Sequence, residues 1–382
     1  MNKLPAVLGS LILCACAAAP PPPQSAQLFN DHLFAAPSVR VSADSVFAVS
    51  DAMKHYLNVE IADQLSANGR QRGLFEALYR QDQLRLEYDS AMTRNATETF
   101  AARSGNCLSL VIMTAAMARQ LGLPVRYQRV FTDETWTRSG DIYFSSGHIN
   151  LTLGKRHPDP RFRYDEHHLL TIDFIPLTGL EVQHTWEIGE STIIAMYMNN
   201  RAAESLAQGK TDDAYWWARE GIIQDPKFLD SYNILGVIYR RHGNPLLAEQ
   251  VLNEFLVREP GNIQAMSNLA LVLNDQGRLA ESRALARKVE EKQPYPPFHF
   301  FNLGQAAMRA GDFAAARDQF AREIAREPNN PEFHFWIAGA YNRLGDVERA
   351  RKHLAIAVEN SATRGDRDIY AAKLDRIKSL AH

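Results

Sequence analysis

The second half of the chain repeats itself every 34 residues. Pro226, Pro260, Pro294 and Pro328 stand at that interval, as do Gly209, Gly243, Gly277, Gly311 and Gly345. Leu235-Gly236, Leu269-Ala270, Leu303-Gly304 and Ile337-Ala338 recur in phase, with Ala214, Ala248, Ser282, Ala316 and Ala350 between them. A period of this length marks one supersecondary unit stacked on copies of itself, because a single unit cannot bury its own apolar face. Small residues let two helices approach closely, Gly takes the turn between them, and Pro closes the second. Residues 195–360 therefore read as five helix pairs. The first pair is the weakest, with Arg201-Ala202 where Leu-Gly is expected, and suits a cap. Tyr370, Leu374, Ile377 and Ala381 recur at helical spacing, so residues 361–382 are expected to form a helix covering the last pair.

This period, with its small, Gly and Pro positions, resembles the tetratricopeptide repeat. The resemblance implies an all-α solenoid whose first helices line a concave face. Asn233, Arg240, Asn274, Asn302, Arg309, Asn342 and Arg343 would lie there. Asn and Arg suit an extended peptide backbone or a carboxylate, which makes a protein or peptide the expected partner. The rival reading is that they are ordinary solvated side chains. Trp216, Trp217, Phe335 and Trp336 read as packing between helices.

The first residues read as a targeting segment. Lys3 precedes an apolar run over residues 4–13, too short to span a bilayer as a folded helix. Leu13-Cys14-Ala15-Cys16 follows and resembles a bacterial lipobox, with Cys16 as the residue to be acylated. The alternative is a plain secretory signal cut near residues 17–19. Residues 1–15 are thus expected to be a lipoprotein signal peptide and 16–40 a Pro-rich tether. Ala17 carries no acidic retention signal, so by resemblance to known sorting rules the anchor is expected in an outer membrane, facing the periplasm. With 42 basic against 44 acidic residues, the chain lacks the basic excess of a general nucleic-acid binder.

Residues 41–185 carry no repeat. Residues 45–65, 72–86 and 107–121 read as helices, the last closed by Gly122 with Pro124 beyond it. Residues 125–131 read as a strand. Ile149, Leu151 and Leu153 alternate with polar residues, as do Leu170, Ile172 and Phe174, which predicts two more strands with a polar loop at 155–168 between them. Helices followed by strands predict an α+β domain.

The other two cysteines belong to the export segment, so Cys107 is the only thiol of this body. It opens a helix in Ser104-Gly105-Asn106-Cys107. A helix N-terminus and a neighbouring imidazolium both favour a thiolate, the nucleophilic form. Strand phase turns His148, Asn150 and Thr152 away from their strand's apolar set, and Asp173 away from that of its own strand. If those strands are neighbours, His148 and Asp173 share one face. Cys107 is then the candidate nucleophile, His148 its acid–base partner and Asp173 the group that orients the imidazole. The Cys107 N–H would contribute to an oxyanion hole. His157, His167 and His168 read as surface residues of the polar loop. His167-His168 with Asp165 and Glu166 lacks matching ligands elsewhere, so neither metal nor cofactor is assigned.

Leu86-Glu87-Tyr88-Asp89, the Gly-Asn-Cys of residues 105–107, and Leu121-Gly122-Leu123-Pro124-Val125-Arg126 resemble the transglutaminase-like superfamily. That resemblance implies a papain-like fold and a Cys-His-Asp triad in this chain order. A family Trp is often found shortly after the His, and none follows here. The expected chemistry is acyl transfer through a thioester. Water as acceptor makes a cysteine peptidase or amidase, the favoured reading, and an amine makes a protein cross-linker. The alternative from another class is a non-catalytic adaptor whose repeats are the functional part.

Overall fold

The computed structural model describes residues 27–79, 84, 86–139, 142–154, 169–174 and 184–380. The export segment with Cys14 and Cys16, the loop at 155–168 with its histidines, and Ala381 lie outside them.

The first domain opens with three short helices: α1 (Asp51–His55), a π turn at Tyr56–Glu60 and α2 (Ala62–Asn68). The single helix expected over 45–65 is broken, since Ile61 leaves helical geometry at φ −113° and ψ 11°. Helix α3 (Arg70–Tyr79) covers the expected helix over residues 72–79, residues 80–83 and 85 lie outside the described residues, and Glu87 and Tyr88 form strand β1. Helix α4 (Ala96–Ala102) starts with a capping box from Asn95 and Glu98. Strand β2 (Ser104–Gly105) pairs in parallel with β1, setting Tyr88 opposite Gly105.

Helix α5 (Cys107–Gln120) is buried along Leu108 to Ala118, on all its faces. Such a helix belongs in the middle of a core. It packs on a four-stranded antiparallel sheet built from β3 (Val125–Ser139), β4 (Ile142–Leu153), β5 (Leu170–Ile172) and β6 (Thr185–Ile188), in the order β5-β4-β3-β6. The β3–β4 hairpin is longer than expected, and its register shifts between Val130 and Thr135. Ile149, Leu151, Leu153 and Ile172 all enter the core.

Five helix pairs follow: α6 (Glu190–Ala207) with α7 (Thr211–Gln224), α8 (Asp230–Arg241) with α9 (Pro245–Arg258), α10 (Ile263–Asp275) with α11 (Leu279–Lys292), α12 (His299–Ala310) with α13 (Phe313–Arg326), and α14 (Pro331–Arg343) with α15 (Val347–Glu359). Gly304 shows why a small residue recurs at its position: a Cβ there would lie 2.5 Å from the Phe320 ring. The turn glycines take φ between 76° and 86°, the left-handed region that costs other residues energy. Helix α16 (Arg364–Leu380) closes the stack, with Tyr370 on Phe335 at 4.7 Å and Leu374 and Ile377 against the last core cluster.

The two halves share a core. One cluster of buried residues runs without a break from Leu28 to Leu273. A segment ahead of the first domain contributes to the join. Phe34 stacks on Tyr215 at 3.9 Å, Tyr239 donates to the Leu28 carbonyl at 2.7 Å, and Ser38 donates to Asp213 at 2.6 Å from both its N–H and its hydroxyl.

Candidate active site

Cys107 is the first residue of α5, so its N–H has no acceptor inside the helix. The turn before it is locked. The Asn106 side chain accepts from the Ser109 N–H at 2.9 Å and its hydroxyl at 2.8 Å, while its own amide donates to Thr93 Oγ1 at 2.9 Å. Ser109 Oγ in turn accepts the Arg94 N–H at 2.8 Å. A Cβ at Gly105 would sit 2.7 Å from the Ser109 Cβ, so only glycine permits this approach.

β4 pairs with β5 in the register Leu151 to Ile172. One step further along, Asn150 Nδ2 reaches Asp173 Oδ2 at 3.2 Å, and His148 Nε2 lies 2.8 Å from the same oxygen. His148 is 7% exposed and Asp173 21%. Tyr79 fixes Asp173 from the other side, donating to its backbone carbonyl at 2.6 Å. Cys107 lies close enough to the same imidazole for a thiolate there to raise its basicity. With Nε2 committed to Asp173, Nδ1 is the ring nitrogen left for the sulfur.

Burial alone would depress the basicity of His148. The hydrogen bond that the ring donates to Asp173, and the negative charges of Asp173 and of a Cys107 thiolate, outweigh it and raise the pKa to about 9. The ring is therefore an imidazolium at neutral pH when the thiol is ionised. Cys107 is partly exposed, as a nucleophile must be.

Strand phase missed Tyr88 and Tyr79, and it placed Asn150 on the His148 face without giving it a role. Tyr88 lies close enough for the Cys107 charge to act on its phenol, and burial first, then that charge and Asp89, push its pKa well above the ordinary tyrosine value. Tyr88 therefore keeps its proton and is a hydrogen-bond donor beside the sulfur. Asn150 and Tyr79 hold Asp173 in place. Tyr88 and Asp89 did stand in the quoted motif, but only the β1–β2 pairing reveals that residue 88 meets residue 105.

The seven expected groove residues are placed as follows. Asn274, Asn302, Arg309 and Asn342 are exposed. Asn233 accepts from Asn268 at 2.8 Å, Arg240 pairs with Asp275 at 2.6 Å, and the Arg343 guanidinium lies 4.3 Å from the Phe313 ring centre, so these three are engaged within the solenoid. Trp217 is buried, Trp336 packs on a distal core cluster, and Trp216 donates to the Ala35 carbonyl at 2.6 Å. Among the described residues no cluster of three or more His, Cys, Asp or Glu side chains is arranged to hold a metal ion.

A thiol at a helix start, an imidazole and a carboxylate on adjacent antiparallel strands, and a solenoid of helix pairs define a papain-like thiol domain joined to a repeat domain. Residues 60–169 match the transglutaminase-like superfamily, and residues 233–297 and 301–364 match the tetratricopeptide repeat. The chain thus carries a transglutaminase-like domain followed by tetratricopeptide repeats.

Among curated proteins it is similar to the type IV pilus assembly protein PilF of Pseudomonas aeruginosa, at 24% identity over 39% of this chain and 60% of that one. It is also similar to cellulose synthase operon protein C of Pseudomonas fluorescens, at 30% identity over 27% of this chain and 9% of that one. The chain therefore spans less than two thirds of either relative. Solved structures similar to it include a thermophilic tetratricopeptide-repeat protein of Thermus thermophilus, at 17% identity over 47% of this chain and 98% of that one with a TM-score of 0.30. Pseudomonas aeruginosa PilF is another, at 18% identity over 48% of this chain and 91% of that one with a TM-score of 0.27.

Proposed function

We propose that the protein is a thiol-dependent acyl-transfer enzyme, a cysteine peptidase or amidase, acting on a polypeptide. The observation that carries this reading is the His148–Asp173 pair at 2.8 Å, with Cys107 opening the helix close enough to act on the same ring. The thiolate attacks an amide carbonyl, and its electron pair forms the C–S bond while the C=O pair moves onto oxygen. The Cys107 N–H at the helix start and the Tyr88 hydroxyl are the donors assigned to that oxyanion in this reading. As the tetrahedral intermediate collapses, the C–N bond breaks and the leaving amine takes a proton from His148. The ring, now neutral, removes a proton from an incoming water, whose oxygen attacks the thioester; the C–S bond then breaks, its electron pair returns to the Cys107 sulfur, and the acid leaves. Asp173 stabilises the imidazolium at both stages without being protonated itself.

An amine in place of water would make the protein a cross-linker. One experiment separates these readings. Purified protein is incubated with an unfolded polypeptide and a fluorescent primary amine. Released fragments or ammonia support hydrolysis, amine incorporation supports transfer, and neither product supports the non-catalytic adaptor. Cys107→Ala must abolish either activity.

The lipobox-like Leu13-Cys14-Ala15-Cys16 supports a lipid-anchored protein of the bacterial envelope, in an outer membrane and facing the periplasm. PilF, similar to part of this chain, is by name a type IV pilus assembly protein. Metabolic labelling with a fatty acid tests it: the label must enter the wild type and be lost in Cys16→Ser.

A further inference from the structure

The repeat region is interrupted at residues 293–298. Helix α11 buries none of its residues, whereas the second helices of the other pairs bury at least three each. The core shared with the first domain ends at Leu273, and a separate cluster begins at Phe298. The connection is Gln293-Pro294-Tyr295-Pro296-Pro297-Phe298. Phe298 takes φ 62°, a left-handed conformation that strains a bulky residue. Leu271, Leu279, Tyr295 and Leu303, around this junction, are all nearly half exposed. Helices α12 to α16 thus form an arm with its own cores, joined to the rest by a junction that lacks continuous packing.

The free end of this arm returns to the candidate active site. The Ala362 carbonyl accepts the Ser90 N–H at 2.8 Å and its hydroxyl at 3.2 Å, and Arg364 pairs with Glu87 at 2.6 Å. Glu87 and Ser90 flank Tyr88, the residue beside Cys107. The same loop is held from its other end by the first repeat. Thr93 donates its N–H to Glu204 at 2.7 Å, while Arg201 donates to the Thr93 carbonyl at 3.0 Å. Residues 87–94 therefore bridge the fixed body at Thr93 and the hinged arm at Glu87 and Ser90. The arm's contact is a solvent-exposed ion pair and bonds to one carbonyl, a combination of small net worth that modest forces can break.

We propose that the arm α12–α16 is a hinged gate, latched over the Cys107 site by Arg364–Glu87 and Ala362–Ser90, and that its opening about residues 293–298 admits the polypeptide substrate. The substrate clause rests on the enzymatic reading above, but the gate is tested without turnover. A bulky maleimide is reacted with the full-length protein, and modification is read on the Cys107 peptide by mass spectrometry, alongside the radius of gyration from small-angle scattering. Arg364→Glu is expected to speed modification at least threefold and to enlarge the radius. Arg364→Ala gives a smaller rise in both. The exchanged pair Glu87→Arg with Arg364→Glu returns both to wild-type values. Wild-type rates and dimensions in Arg364→Glu, or a rise that the exchanged pair fails to reverse, would overturn the gate. A gate that passes in a protein with no amidase or transfer activity would leave the latch standing and remove the enzymatic reading.

Discussion

His148 and Asp173 are 25 residues apart in the chain, and their side chains meet at 2.8 Å. The loop at 155–168 falls between them, yet the antiparallel pairing of β4 with β5 makes the contact a matter of register. A one-residue slip of β5 would turn Asp173 toward the core and leave the ring without its carboxylate. Asp173→Asn keeps the shape but removes the charge, and it is expected to lower kcat by about 10²- to 10⁴-fold. Steady-state kinetics checks this, with the melting temperature as control for folding.

The His148 pKa of about 9 has a definite sign. Its folded value is raised above the unfolded one, so the stabilisation is fully present below about pH 6.5 and is lost as pH rises through about 9. In the proposed mechanism the imidazolium must protonate the leaving amine. The kcat/KM profile is therefore expected to fall on its alkaline side near pH 9, and Asp173→Asn should move that limb to lower pH. A pH–rate profile of both proteins reads this directly.

Tyr88→Phe deletes one hydroxyl and keeps the ring. If that hydroxyl serves the oxyanion, kcat falls by about 10²- to 10³-fold. The alkylation rate of Cys107 by a small reagent, which forms no oxyanion, stays within about twofold. Loss of both would assign Tyr88 to holding the thiol instead.

His334 and His353 meet through their Nδ1 atoms at 2.9 Å, and His334 Nε2 donates to the Pro328 carbonyl. Burial holds both below the ordinary histidine value. For His353, the charges of His334 and Lys352 add to the effect and lower its pKa to about 4. Their stabilisation is fully present above about pH 6.5 and is lost as pH falls toward 4. Calorimetry across that range is expected to show the arm melting earlier in acid, and His353→Phe should flatten the trend.

Gly304→Ala forces a methyl group into Phe320, with a Cβ separation of 2.5 Å before relaxation. Overpacking of this kind costs about 1–3 kcal/mol. Chemical denaturation measures it, and Gly311 offers no equivalent clash because nothing lies within 4 Å of its would-be Cβ.

The solenoid was legible because small, Gly and Pro positions recur at a fixed interval, each answering a local steric need. His148 and Asp173 were legible because a strand's side chains alternate, so phase alone sorted them from Ile149 and Ile172. The junction at 293–298 was not: it keeps the repeat's period, and its weakness lies in how little α11 buries. The long β3–β4 hairpin was hidden by polar residues over 132–146 that give no alternation. Tyr88 was out of reach because a two-residue strand owes its conformation to its partner at Ser104–Gly105.

Activation of Cys107 by His148 is read from the rate of Cys107 alkylation by iodoacetamide near pH 7. Cys107 is expected to react faster than free cysteine, and His148→Ala to slow it at least tenfold, to the level of an ordinary thiol. A rate no greater than that of free cysteine, or one that His148→Ala leaves unchanged, would contradict that activation.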